Sequence, residues 1–452
     1  MPENKNRDLF EKMPVPKAVS TMAIPTIMGQ LIILIYNIAD TFFIGRTNNP
    51  MMVAGASLIL PVFNISISVA GMAGVGGGAL ISRLLGEYRD EEAKKVFSFS
   101  VYLSAALALL FSALTFIFMR PLMNLLGASD ATYGYASAYA MCVIVGGALP
   151  TILQMTLSNL LRSIGESKKA GFGVTLGGVT NIFLDPLFMF VIFPKGQEIV
   201  GAGVATLISN CIASLYFFCV VRQLGGAAAI SLHPIADRPE RESISKVFSV
   251  GLPASVATFL FDVDYIVIDK LMSSYSEYAL AAVGIVLKAE RLPLNIGVGI
   301  CQGMVPIVAY NFAAKNYDRM RKVTRFSLLC GIVCAVVSIT LYEIFAPEVM
   351  RFFIADEQTV ALGTRFLRAR CLATILMFLS FFHVHLFNSY GRGGEALFLG
   401  VVRWAGFNIP MLFIMNAIFG MNGIVWAQFL ADTLTVLLSA FVHHRYAKSH
   451  FT

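Results

Sequence analysis

Long apolar runs separated by short polar connections dominate the chain. Twelve apolar segments are readable, at 18–44, 52–80, 97–119, 133–160, 170–193, 199–221, 247–271, 279–309, 326–346, 363–389, 396–419 and 421–442. Each matches the roughly 20 residues that an α-helix needs to cross a bilayer. The pattern predicts an all-α integral membrane protein with twelve transmembrane helices.

The segments divide into two sets of six. Ala23-Ile24-Pro25 opens the first segment and Gly251-Leu252-Pro253 the seventh. Leu80 to Val96 follows the second, and Ile307 to Val323 follows the eighth. Ser163-Ile164-Gly165-Glu166 follows the fourth, and Gly391 to Glu395 follows the tenth. Gly201-Ala202-Gly203 opens the sixth, and Met421-Asn422-Gly423 opens the twelfth. Matching positions lie 227–229 residues apart until the last pair, which is 220 apart. The sequence thus predicts an N-terminal lobe at 1–222, a cytoplasmic linker at 223–246 and a C-terminal lobe at 247–452. Six spans per repeat give the two halves parallel orientation. Transporters built this way bind substrate in a central cavity and rock one lobe against the other.

Composition agrees with a membrane protein: 57% of residues are hydrophobic, 13% are charged and mean hydropathy is +0.73. Soluble domains are closer to half apolar and a quarter charged. The net charge of +7 is scattered over short loops. That distribution argues against a nucleic-acid partner and reads as a topology signal. With the N-terminus in the cytoplasm, the inner loops and tails hold 24 Lys and Arg. The outer loops and flanks hold seven: Arg46, Arg120, Lys195, Arg351, Arg365, Arg368 and Arg370. The seven cysteines sit in apolar segments without metal-ligand spacing and are expected as small buried hydrophobes. No metal and no cofactor is expected. The polar stretch before the first segment is too long and too acidic for a signal peptide, so that segment is expected to stay in the mature protein.

Ionisable groups inside spans carry the candidate chemistry. Asp185 sits in the middle of a 24-residue apolar run, Ala170 to Phe193. A carboxylate at that depth costs about 2.5–3.5 kcal/mol, and such groups usually face the protein interior or a watery cavity. Asn181 is one turn earlier on the same face. Pro186 removes a backbone donor and frees a carbonyl. The alternative for Asp185 is a hydrogen bond that locks two helices. Asp40 shares a face with Tyr36 at i, i+4. It is either a second functional acid or a helix-end acid, depending on how Pro25 bends the span. Thr206, Ser209 and Asn210 read first as helix glue.

The seventh and eighth spans carry Asp262, Asp264, Asp269, Lys288, Glu290 and Arg291. Six such groups on adjacent spans are expected to pair, either as an ion-pair network or as a second cation or substrate site. His383 and His385 are two apart, on different faces, and read as interior hydrogen-bonding residues. Met155 and Met189, with Gln154, are candidates for a substrate cavity, because flexible Met accommodates varied ligands. The glycines of 71–78 read as a close-packing or bending segment.

Three groups of residues carry a resemblance: Ala23-Ile24-Pro25 continuing to Ala39-Asp40-Thr41-Phe42-Phe43-Ile44-Gly45, the loop Ser82-Arg83-Leu84-Leu85-Gly86, and Asn181-Ile182-Phe183-Leu184-Asp185-Pro186 with Gly201 to Thr206. From about Val15 to Arg445 the chain resembles the multidrug and toxic compound extrusion (MATE) family, in its DinF-like and MepA-type bacterial branch. The resemblance implies an inner-membrane antiporter that exports organic cations in exchange for H+ or Na+, and the chain is expected to act as a monomer. It implies that Asp40, Asp185 and Asn181 form the cation site, with Tyr139 and Thr206 as neighbours. The sodium-using branch places acids in the seventh and tenth spans, and the tenth span here has none. In the expected cycle, protons from outside neutralise the acids and release the cation. The deprotonated acids then attract the next cation from the cytoplasm. Two other readings compete. A lipid-intermediate flippase needs a large basic cavity, which Lys288 and Arg291 would have to line. A membrane-embedded enzyme needs a nucleophile–base pair or metal cluster at one depth. The sequence contains no such group, so enzymatic activity is not expected.

Overall fold

A computed structural model describes residues 5–225, 230–232 and 239–450, and among these the secondary structure is helical. The N-terminal half contains α1 (Lys5–Glu11), α2 (Val15–Gly45), α3 (Pro50–Gly86), α4 (Asp90–Ile117), α5 (Met119–Leu125), α6 (Asp130–Ala140), α7 (Ala148–Ser163), α8 (Ser167–Leu187) and α9 (Glu198–Leu224). The C-terminal half contains α10 (Arg241–Ser273), α11 (Glu277–Ala313), α12 (Tyr317–Phe353), α13 (Glu357–Cys371), α14 (Thr374–Ser389), α15 (Gly393–Val401) and α16 (Ile409–His450). The 223–246 linker falls partly outside the described residues.

Among the described residues, nine helices are long and apolar enough to span a membrane, or eleven when two bent pairs each count as one span. Those pairs are α6 with α7, bent by 47°, and α13 with α14, bent by 46°. The last candidate, Gly393–Ser449, has 57 residues. At 1.5 Å per residue that is roughly 86 Å of helix, more than twice a hydrocarbon core. It breaks at Gly420, at φ 59° and ψ −142°, a conformation close to glycine's own territory. Two spans separated there bring the total to twelve, which agrees with the hydropathy pattern.

Local sequence accounts for several boundaries. The Asn49 side chain accepts a hydrogen bond from the Met51 amide (3.0 Å), and Pro50 occupies the first turn of α3. Both are favoured starts. α2 stays one helix through Pro25. Pro186 removes one rung of the α8 ladder, and the chain changes to a π turn at Phe188–Ile192.

The halves form two lobes, and their backbones touch. A Cβ added at Gly251 of α10 would lie 1.9 Å from the Met72 carbonyl oxygen of α3, and one added at Gly76 would lie 2.2 Å from that of Val247. Gly76 therefore serves close packing between lobes, while Gly74, Gly77 and Gly78 let α4 and α7 of the same lobe approach α3. Ser255 Oγ donates to the Ser68 carbonyl (2.5 Å), and Gln30 Nε2 of α2 donates to Gln302 Oε1 of α11 (3.1 Å).

At one end, α1 is clasped between the lobes. Phe10 is buried and stacks on Tyr310 of α11, with ring centroids 5.0 Å apart. The Glu11 carboxylate accepts from Tyr88 beside α4 (2.8 Å) and from Tyr310. Arg7 pairs with Asp90 (2.8 Å), and Arg319 of α12 donates to the Phe10 carbonyl (2.5 Å).

The structure corrects two expectations from the sequence. Only Cys301 and Cys371 are buried, while Cys211 and Cys219 are exposed on α9; all seven cysteines are free. The exterior of a spanning helix meets lipid tails, so a small apolar thiol needs no burial there. Three arginines read as topology signals, Arg162, Arg370 and Arg403, are buried inside the protein.

Candidate functional site

The N-terminal lobe brings the predicted coupling residues together. Asp185 is fully buried and Asn181 nearly so. Asn181 Nδ2 donates to Asp185 Oδ1 (3.1 Å) and to Thr206 Oγ1 of α9 (3.3 Å). One amide thus ties α8 to α9 and fixes the carboxyl. Asp40, on α2, is half-buried and accepts from the Tyr139 hydroxyl of α6 through Oδ2 (3.3 Å). The second oxygens, Asp40 Oδ1 and Asp185 Oδ2, are buried, as is Asn181 Oδ1, and none has a hydrogen-bond partner among the described residues. The two carboxyls are close enough for direct charge–charge interaction, and Tyr36 and Tyr139 each interact with both. Buried polar oxygens are normally paired. Three unpaired in one locality can accept a proton or a small cation.

Beside the acids lies a cavity of about 40 Å³, lined by Tyr36, Gln154, Met155, Asn181, Thr206 and Asn210 among others. That volume holds a few waters and falls far short of the roughly 300–1,000 Å³ of a drug pocket. Gln154 Nε2 donates to Asn210 Oδ1 (2.6 Å), and Asn210 Nδ2 donates to Thr151 Oγ1 (2.8 Å). Asn210 is thus helix glue, as expected, and Ser209 back-bonds to the Ala205 carbonyl (2.9 Å). Thr206 goes further, because its hydroxyl accepts from Asn181.

Met189 is a correction. It is buried in an apolar cluster with Ile44, Met52 and Ile144, apart from the cavity. On an uninterrupted helix it would continue the Asn181–Asp185 stripe. The π turn after Pro186 breaks that stripe.

The C-terminal lobe holds a different arrangement from the one its sequence suggests. Glu290 pairs with Arg370 of α13 (2.8 Å), not with its neighbour Arg291. Arg370 also donates to Gln428 Oε1 (3.2 Å), and Gln428 Nε2 donates to Asp432 Oδ2 (2.8 Å). Asp432 pairs in turn with Arg403 (2.8 Å). The chain Glu290–Arg370–Gln428–Asp432–Arg403 is buried throughout. Arg291 lies over the Tyr265 ring (5.0 Å) and the Phe261 ring (6.0 Å). Asp264 is fully buried, with no hydrogen-bond partner for either oxygen among the described residues. Asp269 is exposed and stands outside the network. The Asp262 side chain lies outside the described residues.

Arg403 and Asp432 each interrupt an apolar run, and the rule that singled out Asp185 applies to both. Arg370 sits near a segment end, where topology masks its role. His383 and His385 each donate from Nδ1 to a backbone carbonyl one turn back, at 2.8 Å.

The MatE family model matches residues 25–187 and 253–414, one match in each half. The multidrug export protein MepA of Staphylococcus aureus (strain MSSA476) is 32% identical over 434 residues, covering 96% of this chain and 94% of the relative. The MepA of Staphylococcus saprophyticus is 30% identical over 433 residues, with the same coverage. A multidrug resistance MATE family transporter of the MOP superfamily, in an outward-facing conformation, superposes with a TM-score of 0.92 at 20% identity, covering 98% of each chain. A MATE in complex with MaL6 gives 0.90 at 22%, covering 98% of this chain and 99% of that one. These two structural likenesses concern the fold.

Proposed function

For a chain that belongs to the multidrug and toxic compound extrusion family, and is therefore a multi-pass membrane transporter, we propose export of organic cations in exchange for protons. The carrying observation is the pair Asp40 and Asp185, each with one buried oxygen that has no hydrogen-bond partner among the described residues, near a small cavity lined by Tyr36, Asn181 and Thr206. A carboxyl in that position takes up a proton without breaking a hydrogen bond. It also loses its attraction for a cation when it does so. Proton and substrate then bind exclusively, and reciprocal linkage converts exclusion into exchange.

The conformation supports the direction of transport. The lobes meet where α1 is clasped, and 22 Lys and Arg remain on that side against six opposite once the buried arginines are removed from the tally. We assign this closed end, with both termini, to the cytoplasm of the cell's inner membrane. On this reading the opposite side faces outward, where substrate leaves and protons arrive. Both lobes lie in one chain, so one copy suffices for the cycle. Against a flippase, Arg291 is engaged by aromatic rings and Lys288 is exposed.

Asp40 Oδ1, Asp185 Oδ2 and Asn181 Oδ1, unpartnered among the described residues, favour one second reading, a bound Na+ in place of the proton. Vesicles loaded with a cationic dye, with proton and sodium gradients imposed separately, decide between the two. The proton reading expects uptake driven by the pH gradient alone, and its loss in Asp185→Asn. Wild-type transport by that variant removes Asp185 from the mechanism.

A further inference from the structure

Three arginines are buried among the described residues, and two of them carry a carboxylate partner: Arg370 with Glu290 and Arg403 with Asp432. The third, Arg162, has none. It is 8% exposed, at the end of α7. Nη1 donates to Gln302 Oε1 of the opposite lobe (2.9 Å) and to Asn159 Oδ1 (3.2 Å). Nη2 donates to Ser158 Oγ (2.7 Å), and Nε has no partner among the described residues. All three acceptors are neutral. A guanidinium is always charged, and buried charges are normally paired.

The position of Arg162 is as informative as its charge. Met155 and Arg162 share a face of α7, as do Gln154 and Ser158. Met155 lines the cavity beside the acids, and Arg162 lies seven residues further, roughly 10.5 Å along the helix. At one end of this stripe the cavity is bordered by Asn181, which holds Asp185, and at the other stands Arg162 without a carboxylate partner among the described residues.

We propose that Arg162 is a specificity-determining anion subsite, which takes the carboxylate of amphoteric substrates while their cationic part goes to Asp40 and Asp185. The inference rests on the export reading above. It also gives Gln302 a function. In this conformation Gln302 of the opposite lobe occupies the guanidinium. When the lobes part at the α1 end, that oxygen withdraws, and Arg162 is left open to a carboxylate arriving from the cytoplasm. Return of Gln302 on closure displaces the carboxylate and favours outward release. A carboxylate can meet the guanidinium through two charge-assisted hydrogen bonds, which a neutral amide oxygen cannot match.

The test uses two probes with the same cationic ring system: a xanthylium dye bearing a free carboxylate, and its methyl ester. Vesicle transport and binding to the purified full-length chain are measured for both, in wild type, Arg162→Gln and Arg162→Lys. The expected result is a fall in the acid-to-ester ratio of about tenfold or more in Arg162→Gln, the size of one lost charge-assisted hydrogen bond, with an intermediate ratio in Arg162→Lys. An unchanged ratio in Arg162→Gln overturns the proposal, even if both dyes move more slowly, because that pattern belongs to a structural role between lobes. Benzoate competition on the wild-type protein repeats the test without a variant. Displacement of the acid dye ahead of the ester supports the subsite, and equal displacement overturns it. If wild-type vesicles move neither dye, the export reading fails, while the binding ratios still decide the role of Arg162.

Discussion

Asp185 is fully shielded from solvent, yet one of its oxygens meets no donor among the described residues. Its other oxygen depends on a single amide, Asn181, which also holds Thr206. Asn181→Ala leaves a buried carboxyl without its orienting bond, so dye transport is expected to fall about tenfold while the protein stays folded; vesicle flux against detergent-purified yield checks both. In the other lobe, charge balance governs stability. Arg370→Met strands the buried Glu290, and the expected loss is about 3–5 kcal/mol. Glu290→Leu combined with Arg370→Met removes both charges and should recover most of that loss, visible as a recovered melting temperature. Asp185 and Asn181 were legible from their positions in an apolar run, whereas position left Asp40 open. Their partners were not, because Arg370 lies 80 residues from Glu290 and Tyr139 lies 99 from Asp40. Only packing makes such pairs neighbours.

Helices follow from hydropathy because a bilayer offers the backbone no other partner. Their irregularities do not. The π turn at Phe188–Ile192 moves Met189 off the functional stripe, although the periodicity of the sequence runs straight through it. The prolines sort differently: Pro25 sits within an unbroken helix, while a π turn follows Pro186 at once. Gly420 is the clearest element-scale determinant. Its φ of 59° and ψ of −142° separate the last two spans. Gly420→Ala is expected to cost about 1–3 kcal/mol. A drop in melting temperature of the purified protein measures it. An unchanged melting temperature would show that the break tolerates a side chain.

At the scale of the whole molecule, the proposed transport cycle requires the lobes to separate at the end they now share. The α1 clasp opposes that motion. Glu11 bridges Tyr88 of one lobe and Tyr310 of the other, so both hydrogen bonds are made only while the lobes are together. A hydrogen bond to a charged group contributes about 1.5–3 kcal/mol, roughly a tenfold to hundredfold bias toward this state. Glu11→Ala is expected to shift the population toward separation at the α1 end. Spin labels on α3 and α10 read that shift as a longer distance component. An unaltered distance distribution would leave α1 without a part in gating.

The sequence by itself determined a twelve-span helical membrane protein in two similar halves, because span length and charge distribution are set residue by residue against the bilayer. It also determined that Asp185 needs an interior role, since a charge in hydrocarbon has no cheap alternative. Only the tertiary structure decided which oxygens go unpaired, which arginine lacks a counter-charge, and which end of the molecule is closed. Those properties depend on distances between segments that are remote in the chain. They are settled when backbones meet at places such as Gly76 and Gly251, where the absence of a side chain lets two lobes touch.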